Sequence, residues 1–352
     1  MGHDARGPLP AFAMPFAWIA ARAYGVGVGV RNARLDRGRG VRRLEVNGAR
    51  IPVISVGNLT AGGTGKSPFV AWVCAALEHA GARPVIAMRG YAASGDGSRS
   101  DEAMEYATTA PNAMLVVHPR RHAALTRALS DAELRRNAIV VLDDGFQHRQ
   151  LARELDIVLV DASRPGLDGD LLPNGWLREP ARNIARADIV VLTKAHDPEQ
   201  RARASRLVEQ VRGRGPDAVC DHAWRELAVH GGPASQDGVR REPVAWLSGR
   251  TVVSACALGN PAHFRSMVAR AGAVVAAVAE KGDHQALSAD ELDAAASSAR
   301  AEAIVMSRKD WVKLDRAPKA TVVVPELAID FVEGEARVRA AISAAAARKS
   351  AS

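Results

Sequence analysis

A glycine-rich run, Gly57-Asn58-Leu59-Thr60-Ala61-Gly62-Gly63-Thr64-Gly65-Lys66-Ser67, holds the residue types that grip a phosphate. Glycines let successive backbone N–H groups turn inward around an anion, and a helix starting behind them adds the positive end of its dipole. In such a loop Thr60, Ala61, Gly62, Gly63, Thr64 and Gly65 line the phosphates of ATP. Lys66 reaches the β- and γ-phosphates, and the Ser67 hydroxyl ligates magnesium. The usual spacing asks for glycine at position 60, so Thr60 makes this a variant loop. A second element supports it. The apolar run 138–142 ends in Asp143-Asp144-Gly145-Phe146-Gln147-His148, and an aspartate closing an apolar strand is how phosphate-loop enzymes hold magnesium from the far side.

Other polar groups close apolar runs too: Arg89-Gly90-Tyr91, Asp161 and Thr193-Lys194. In open α/β sheets ligands bind outside the carboxyl ends of the strands, so these groups are expected along one edge. Asp101-Glu102, in what reads as a loop after Gly95-Asp96-Gly97, can reach that edge or stay solvated. Thr193-Lys194-Ala195-His196 invites comparison with a guanine-recognition loop, but His196 stands where aspartate is required, so GTP preference is not supported.

The elements that must position these groups are legible as strand–helix repeats. Strands are predicted at 51–56, 84–88, 114–118, 138–142, 155–160 and 188–192, most of them continuously apolar, as for strands covered on both faces. A helix over 66–80 puts Phe69, Val70, Val73 and Leu77 on one face, tolerates Pro68 in its first turn and stops at Gly81. A second, highly charged helix is expected over 201–212. The pattern predicts an α/β fold: a P-loop-containing three-layer α/β/α domain with a parallel sheet. Residues 230–242 read as linker. Strands at 251–256, 273–278 and 303–307, with helices at 261–271 and 289–300, then form a second, smaller α/β domain. Strands at 321–325 and 328–331 return the chain, and 335–349 is a closing helix. The expected division is 1–40 as an N-terminal membrane-interface segment, 41–230 with 321–352 as the P-loop domain, and 231–320 as the smaller domain.

Composition narrows the partners. Of 352 residues, 47% are hydrophobic and 24% charged, which excludes collagen-like, fully disordered and multi-span membrane chains. A net charge of +8 favours an anionic partner, while 4% aromatics argue against a stacking platform for nucleic acid. Cys74, Cys220 and Cys256 lie far apart and read as buried small hydrophobes, with no disulfide framework or zinc site. Near the N-terminus Phe12, Met14, Phe16, Trp18 and Ile19 stud an apolar stretch that Arg22 interrupts. Arg31, Arg34, Arg37, Arg39, Arg42 and Arg43 follow against Asp36 alone. The unbroken apolar run falls short of the roughly 20 residues a membrane span needs. This reads as a segment lying in a membrane interface with its arginines near anionic lipid, or else as a helix packed on its domain. The Val-Gly alternation over 26–30 is poor helix material and leaves helix continuity open.

Taken together, the glycine loop, Arg89-Gly90-Tyr91, Asp101-Glu102, Asp143-Asp144-Gly145-Phe146-Gln147-His148, Asp161-Ala162-Ser163-Arg164-Pro165 and Leu177-Arg178-Glu179-Pro180 resemble the tetraacyldisaccharide 4′-kinase (lipid A 4′-kinase) family. Gly259-Asn260-Pro261, Asp283-His284 and Lys309-Asp310 extend the likeness. The resemblance implies transfer of the ATP γ-phosphate to the 4′-hydroxyl of an acylated disaccharide 1-phosphate, in lipid A biosynthesis. It also implies a site between two lobes and a peripheral or monotopic enzyme on the cytoplasmic face of the inner membrane. It makes Asp101 the candidate base and His284 its partner from the second lobe, meeting on lobe closure. Lys66 is assigned to the charge developing during transfer, magnesium to Ser67, Asp143 and Glu102. Arg89, Tyr91, Asp144, Gln147, His148, Arg178, Glu179 and Arg120 are the implied substrate contacts. Ser307-Arg308-Lys309-Asp310 stands where the family pattern is Thr-Glu-Lys-Asp. The rival reading is a nucleotidase switch or metal-delivery protein acting on a protein partner. The missing Cys/His cluster and the broken Thr-Lys-x-Asp loop weigh against it.

Overall fold

The computed structural model describes residues 14–62, 64–90, 101–231, 238–282 and 285–348, with Met14, Pro15, Asp101 and Glu102 given by their backbone alone. Two compact units share the chain: Met1–Asp221 with Ile329–Ser352, and His222–Ala328. The sequence places its divisions at 230 and 320; the units divide instead inside two long strands.

The first unit runs α1 (Met14–Asp36), a small ribbon of β1 (Glu45–Val46) and β2 (Ala49–Arg50), β3 (Val53–Gly57), α2 (Lys66–His79), β4 (Arg83–Met88) and α3 (Asp101–Thr109). It continues with β5 (Met114–Val117), α4 (Arg121–Ala128), α5 (Ala132–Arg135), β6 (Ala138–Asp143), β7 (Leu155–Asp161), β8 (Ile189–Thr193) and α6 (Pro198–Arg212). It then enters β9 (Ala218–His230). The strand order β9-β8-β7-β3-β6-β4-β5 is parallel at every neighbouring pair. Ile54, Val56, Ile86, Val141 and Ile157 on one face pack under α2 and α3. Val53, Val85 and Val140 on the other pack under α4, and Val158 and Val190 under α6. Alternate residues of each strand thus feed different clusters. That is why the strands read as unbroken apolar runs.

The second unit contains β10 (Arg240–Glu242), β11 (Thr251–Cys256), α7 (Pro261–Arg270), β12 (Val274–Glu280), α8 (Ala289–Ser298), β13 (Ala303–Met306), α9 (Arg308–Trp311) and most of β14 (Val322–Glu333). There β11 lies between β12 and β13, parallel to both. The chain re-enters the first unit along β14 and ends in α10 (Glu335–Ala347), whose Val338 and Ile342 join the cluster under α2. Cys74, Cys220 and Cys256 are free and buried.

Beyond β1, β2, α4, α5 and α9, which the sequence reading leaves unassigned, four elements differ from it. The return is one strand, β14, because Pro325 withholds an N–H but its fixed φ suits extended backbone. The 13-residue β9 went unread, since Asp221, His222, Arg225 and Glu226 break its apolar pattern. Part of the expected linker is the short strand β10. Asp101-Glu102 opens a helix rather than sitting in a loop.

α1 is continuous through Gly25, Gly27 and Gly29. Ala17, Ala21, Asn32 and Leu35 are its buried residues, a helical seam with Gly25 and Val28 half-buried along it. A Cβ at Gly25 would lie 2.8 Å from Leu171 Cδ1, so this glycine permits the close approach that seats the helix. No helix among the described residues is long and apolar enough to cross a membrane.

Candidate active site

The phosphate loop and the groups around it belong to the first unit. The glycine run leaves the carboxyl end of β3 and enters α2, with Gly62 at φ 121° and Gly65 at φ 81°. Both angles lie where a side chain is strained, so these glycines let the loop fold back on itself. The loop is clamped from two sides. Ala61 N donates to Trp176 O at 2.7 Å and Arg178 N to Leu59 O at 2.8 Å, pinning it to residues 176–178. The Thr193 hydroxyl, at the end of β8, donates to Thr64 O at 2.8 Å. Close packing does the rest: a Cβ on Gly57 would lie 2.7 Å from Phe146. Gly63 lies outside the described residues.

Lys66 at the start of α2 donates to Asn58 Oδ1 at 3.2 Å and stands 3.7 Å from Asp144 Oδ1. Asn58, buried just behind the loop, belongs to the glycine run in sequence but carries no assigned role there; its contact with Lys66 gives it one. Asp143 and Asp144 are neighbours with opposite environments. Asp143 closes β6, is 5% exposed, and its Oδ1 has no hydrogen-bond partner. Burial raises its pKa against the pull of Lys66. Asp144 has φ 50°, which turns the chain out of the strand, and its carboxylate receives Arg178 at 2.8 and 2.6 Å. Burial works against that charge too, but Lys66 and Arg178 outweigh it and hold Asp144 below the ordinary carboxylate range.

A half-buried Ser67 hydroxyl and a buried carboxylate oxygen without a partner suit a divalent cation. Among the described residues no three His, Cys, Asp or Glu side chains gather into a metal cluster. Magnesium does not need one, because it keeps water and takes one or two carboxylates plus phosphate oxygens.

Beyond Asp144 the chain builds a basic recess. Burial and the charges of Arg121, Arg153, Arg31 and Arg89 lower the His148 pKa to about 4. Arg121, next to the exposed Arg120 and only 4% exposed itself, was not singled out from sequence. Gln147 Nε2 donates to Asn58 O at 2.9 Å and to Glu179 Oε1 at 3.0 Å. Glu179 is enclosed; its carboxylate also accepts from Asn32, Asn183 and Arg186. α1 reaches this recess directly. Tyr24 Oη donates to Arg178 O at 2.7 Å, Arg31 to Gln147 O, and Asn32 to Glu179.

Other polar strand ends serve the frame. Lys194 Nζ meets Asp161 Oδ2 at 2.5 Å with both side chains 6% exposed, and Ser163 adds its N–H and hydroxyl to Asp161. Arg89 and Gly90 follow β4, with Arg89 exposed. Asp101 and Glu102 form the first turn of α3 by backbone, while Tyr91 and His284 lie outside the described residues. In the second unit Ser307 caps α9, and Asp310 accepts from Ala257 N at 2.9 Å and from the Ser307 hydroxyl. Serine supplies the same capping hydroxyl that threonine would.

A glycine loop between a parallel strand and a helix, an aspartate closing the adjacent strand and three layers around them define a P-loop nucleotide-binding protein with the equipment for phosphoryl transfer. The model of the family described as tetraacyldisaccharide-1-P 4′-kinase matches residues 13–347, and the chain belongs to that family. Its relatives include the tetraacyldisaccharide 4′-kinase of Anaeromyxobacter dehalogenans (strain 2CP-C), 36% identical over 88% of this chain and 84% of that protein. The enzyme of the same name from Pelodictyon phaeoclathratiforme is 28% identical over 94% and 97%. A crystal structure of LpxK from Aquifex aeolicus in complex with ATP superposes with a TM-score of 0.66 at 25% identity, covering 95% of this chain and 98% of that one.

Proposed function

We propose that the protein transfers the γ-phosphate of ATP to the 4′-hydroxyl of a tetraacyldisaccharide 1-phosphate, the reaction that makes the 4′-phosphate of lipid A. Family membership supports the reaction. The observation that carries the assignment of parts is the clamped loop 57–67 beside the buried, partnerless Asp143 oxygen.

Residues 60–65 offer their amides to the β- and γ-phosphates, and Lys66, already flanked by Asn58 and Asp144, follows the negative charge to the transferring group. Ser67 and Asp143 would hold magnesium, with Glu102 at the head of α3 as a third ligand, and the ion would supply neutralisation of the charge on the transferring phosphate. Asp101 takes the proton of the sugar hydroxyl, with His284 as its partner. Arg89, Tyr91, His148 and Arg178 are the proposed contacts to the sugar and its phosphate, with Asp144 orienting Arg178 and Glu179 orienting Gln147. A recess where burial and, after it, the charges of neighbouring arginines keep a histidine neutral is suited to a phosphate monoester.

α1 supports a membrane-surface role for the same site. Its seam onto the protein runs through Ala17, Ala21, Gly25, Asn32 and Leu35, whereas Phe16, Ile19, Val26 and Val30 point outward, 62–76% exposed. That is the reverse of a helix packing only on its own domain. Arginines 31 to 43 follow, which supports a reading in which apolar side chains enter the headgroup boundary and cations meet anionic lipid at the cytoplasmic face of the inner membrane. Because α1 also holds Gln147, Arg178 and Glu179, it brings the substrate recess to the surface where an acylated substrate resides.

The test is γ-labelled ATP offered with and without tetraacyldisaccharide 1-phosphate. The label is expected in lipid and only when lipid is present; inorganic phosphate released at the same rate without lipid would favour a nucleotidase switch. Replacing Phe16, Trp18 and Ile19 by glutamine is expected to reduce binding to anionic vesicles, and unchanged partitioning would reject the interfacial role of α1.

A further inference from the structure

Tyr106 is a polar side chain where packing asks for none. It lies on the inner face of α3 with Ala103 and Ala110, in the cluster that contains Phe69, Val70, Val73, Ile86 and Val141. It is fully buried, and its ring fills space that phenylalanine would fill equally well. Its hydroxyl has no partner in full hydrogen-bond geometry, and water does not reach it. A buried donor left that way is a cost that phenylalanine would avoid. The hydroxyl nevertheless has a direction. It faces the Asp143 carboxylate and the Ser67 hydroxyl, close enough to interact with both. Three groups from three elements therefore converge: Ser67 from α2, Asp143 from β6 and Tyr106 from α3.

We propose that Tyr106 is a positioning residue of the phosphoryl-transfer site, its hydroxyl donating to Asp143 and meeting Ser67 so that both present their free oxygens to one divalent cation. The inference rests on the reading of Ser67 and Asp143 as the metal-holding pair. A phenol carries its proton at neutral pH and can donate it in a hydrogen bond. Tyr106 has a second consequence through the helix it sits on. Asp101 opens α3 five residues earlier, about 7.5 Å along the axis, so the same phenol that orients the metal-holding pair fixes the helix that carries the candidate base. Residues that orient metal ligands typically cost about 10–100-fold in metal affinity when replaced.

The experiment compares the full-length chain with Tyr106→Phe, Tyr106→Leu and Asp143→Asn. Mn2+ binding is followed by electron paramagnetic resonance in the presence of a non-hydrolysable ATP analogue, beside thermal melting and the Mg2+ dependence of turnover. Tyr106→Phe is expected to melt at or above the wild-type temperature and to bind Mn2+ about 10-fold more weakly. Its turnover is expected to fall and to be partly rescued by high Mg2+, a signature that loss of packing does not produce. Wild-type Mn2+ affinity and Mg2+ dependence in Tyr106→Phe would overturn the inference. So would a loss of melting temperature as large as that of Tyr106→Leu with Mn2+ affinity unchanged. If Asp143→Asn also binds Mn2+ normally, the metal reading itself fails; if Asp143→Asn loses Mn2+ and Tyr106→Phe does not, only the role of Tyr106 falls.

Discussion

Two clusters of polar side chains stand at carboxyl ends of strands in the parallel sheet of the first unit, on either side of β3, and they are built on opposite principles. At the end of β7 and β8, Asp161, Ser163, Thr193 and Lys194 satisfy one another: a buried ion pair, two serine donors and a threonine hydroxyl spent on Thr64 O. At the end of β6, Asp143 keeps a buried oxygen without a partner beside Ser67 and Tyr106. Both clusters read alike in sequence, as polar residues closing apolar strands. Completeness separates them. A finished cluster holds the loop in place, whereas an unfinished one, stabilised against its own desolvation by the rest of the fold, has valences left for a ligand.

The sharpest way to break this contrast is to neutralise one aspartate in each cluster. Asp143→Asn removes a charge that the fold disfavours, so stability is expected to hold or rise while turnover falls about 1000-fold, the scale of losing one group that stabilises transition-state charge. Near-normal turnover in steady-state assays would place the chemistry elsewhere. Asp161→Asn leaves Lys194 buried without its counter-charge, so the loss is expected in stability, about 3 kcal/mol in urea titrations, with kcat of the folded fraction little changed. A stable Asp161→Asn with dead chemistry would merge the two clusters into one site. Thr193→Val tests the link between them at smaller scale. Losing the bond to Thr64 O is expected to cost about 1 kcal/mol and to raise the KM for ATP a few-fold with kcat preserved.

This same contrast explains what the sequence could and could not disclose. Composition by strand was readable because the sheet of the first unit is covered on both faces, so β3, β4, β6, β7 and β8 are continuous apolar runs. The phosphate loop was readable because glycine, lysine and serine have narrow uses at that spacing. β9 was not, because its middle residues are polar. Whether Thr193-Lys194 was a recognition loop or a prop depended on Asp161 and Thr64, partners 33 and 129 residues away, which no local pattern records. Tyr106 was hidden by its neighbours: between Glu105 and Ala107 it reads as an ordinary core aromatic, and only the convergence of α2, α3 and β6 gives its hydroxyl an address. The continuity of α1 through three glycines was likewise decided by tertiary contact, above all the approach of Gly25 to Leu171.

His148 offers the gentlest test, because it probes the unfinished side without altering it. Burial comes first among the causes that lower its pKa from 6.5 to about 4, and Arg121, Arg153, Arg31 and Arg89 add to it. The unfolded chain therefore takes up this proton at higher pH than the folded one. The stability tied to the neutral ring is complete above pH 6.5 and drains away as pH falls towards 4. In an NMR titration of the free protein the His148 ring is expected to stay neutral until close to pH 4. A phosphate monoester held among the same arginines reverses the local sign of charge, so adding the short-chain disaccharide 1-phosphate is expected to raise that midpoint. A midpoint unmoved by saturating ligand would mean that the phosphate binds away from His148, and that the arginines around it belong, like Asp161 and Lys194, to the frame.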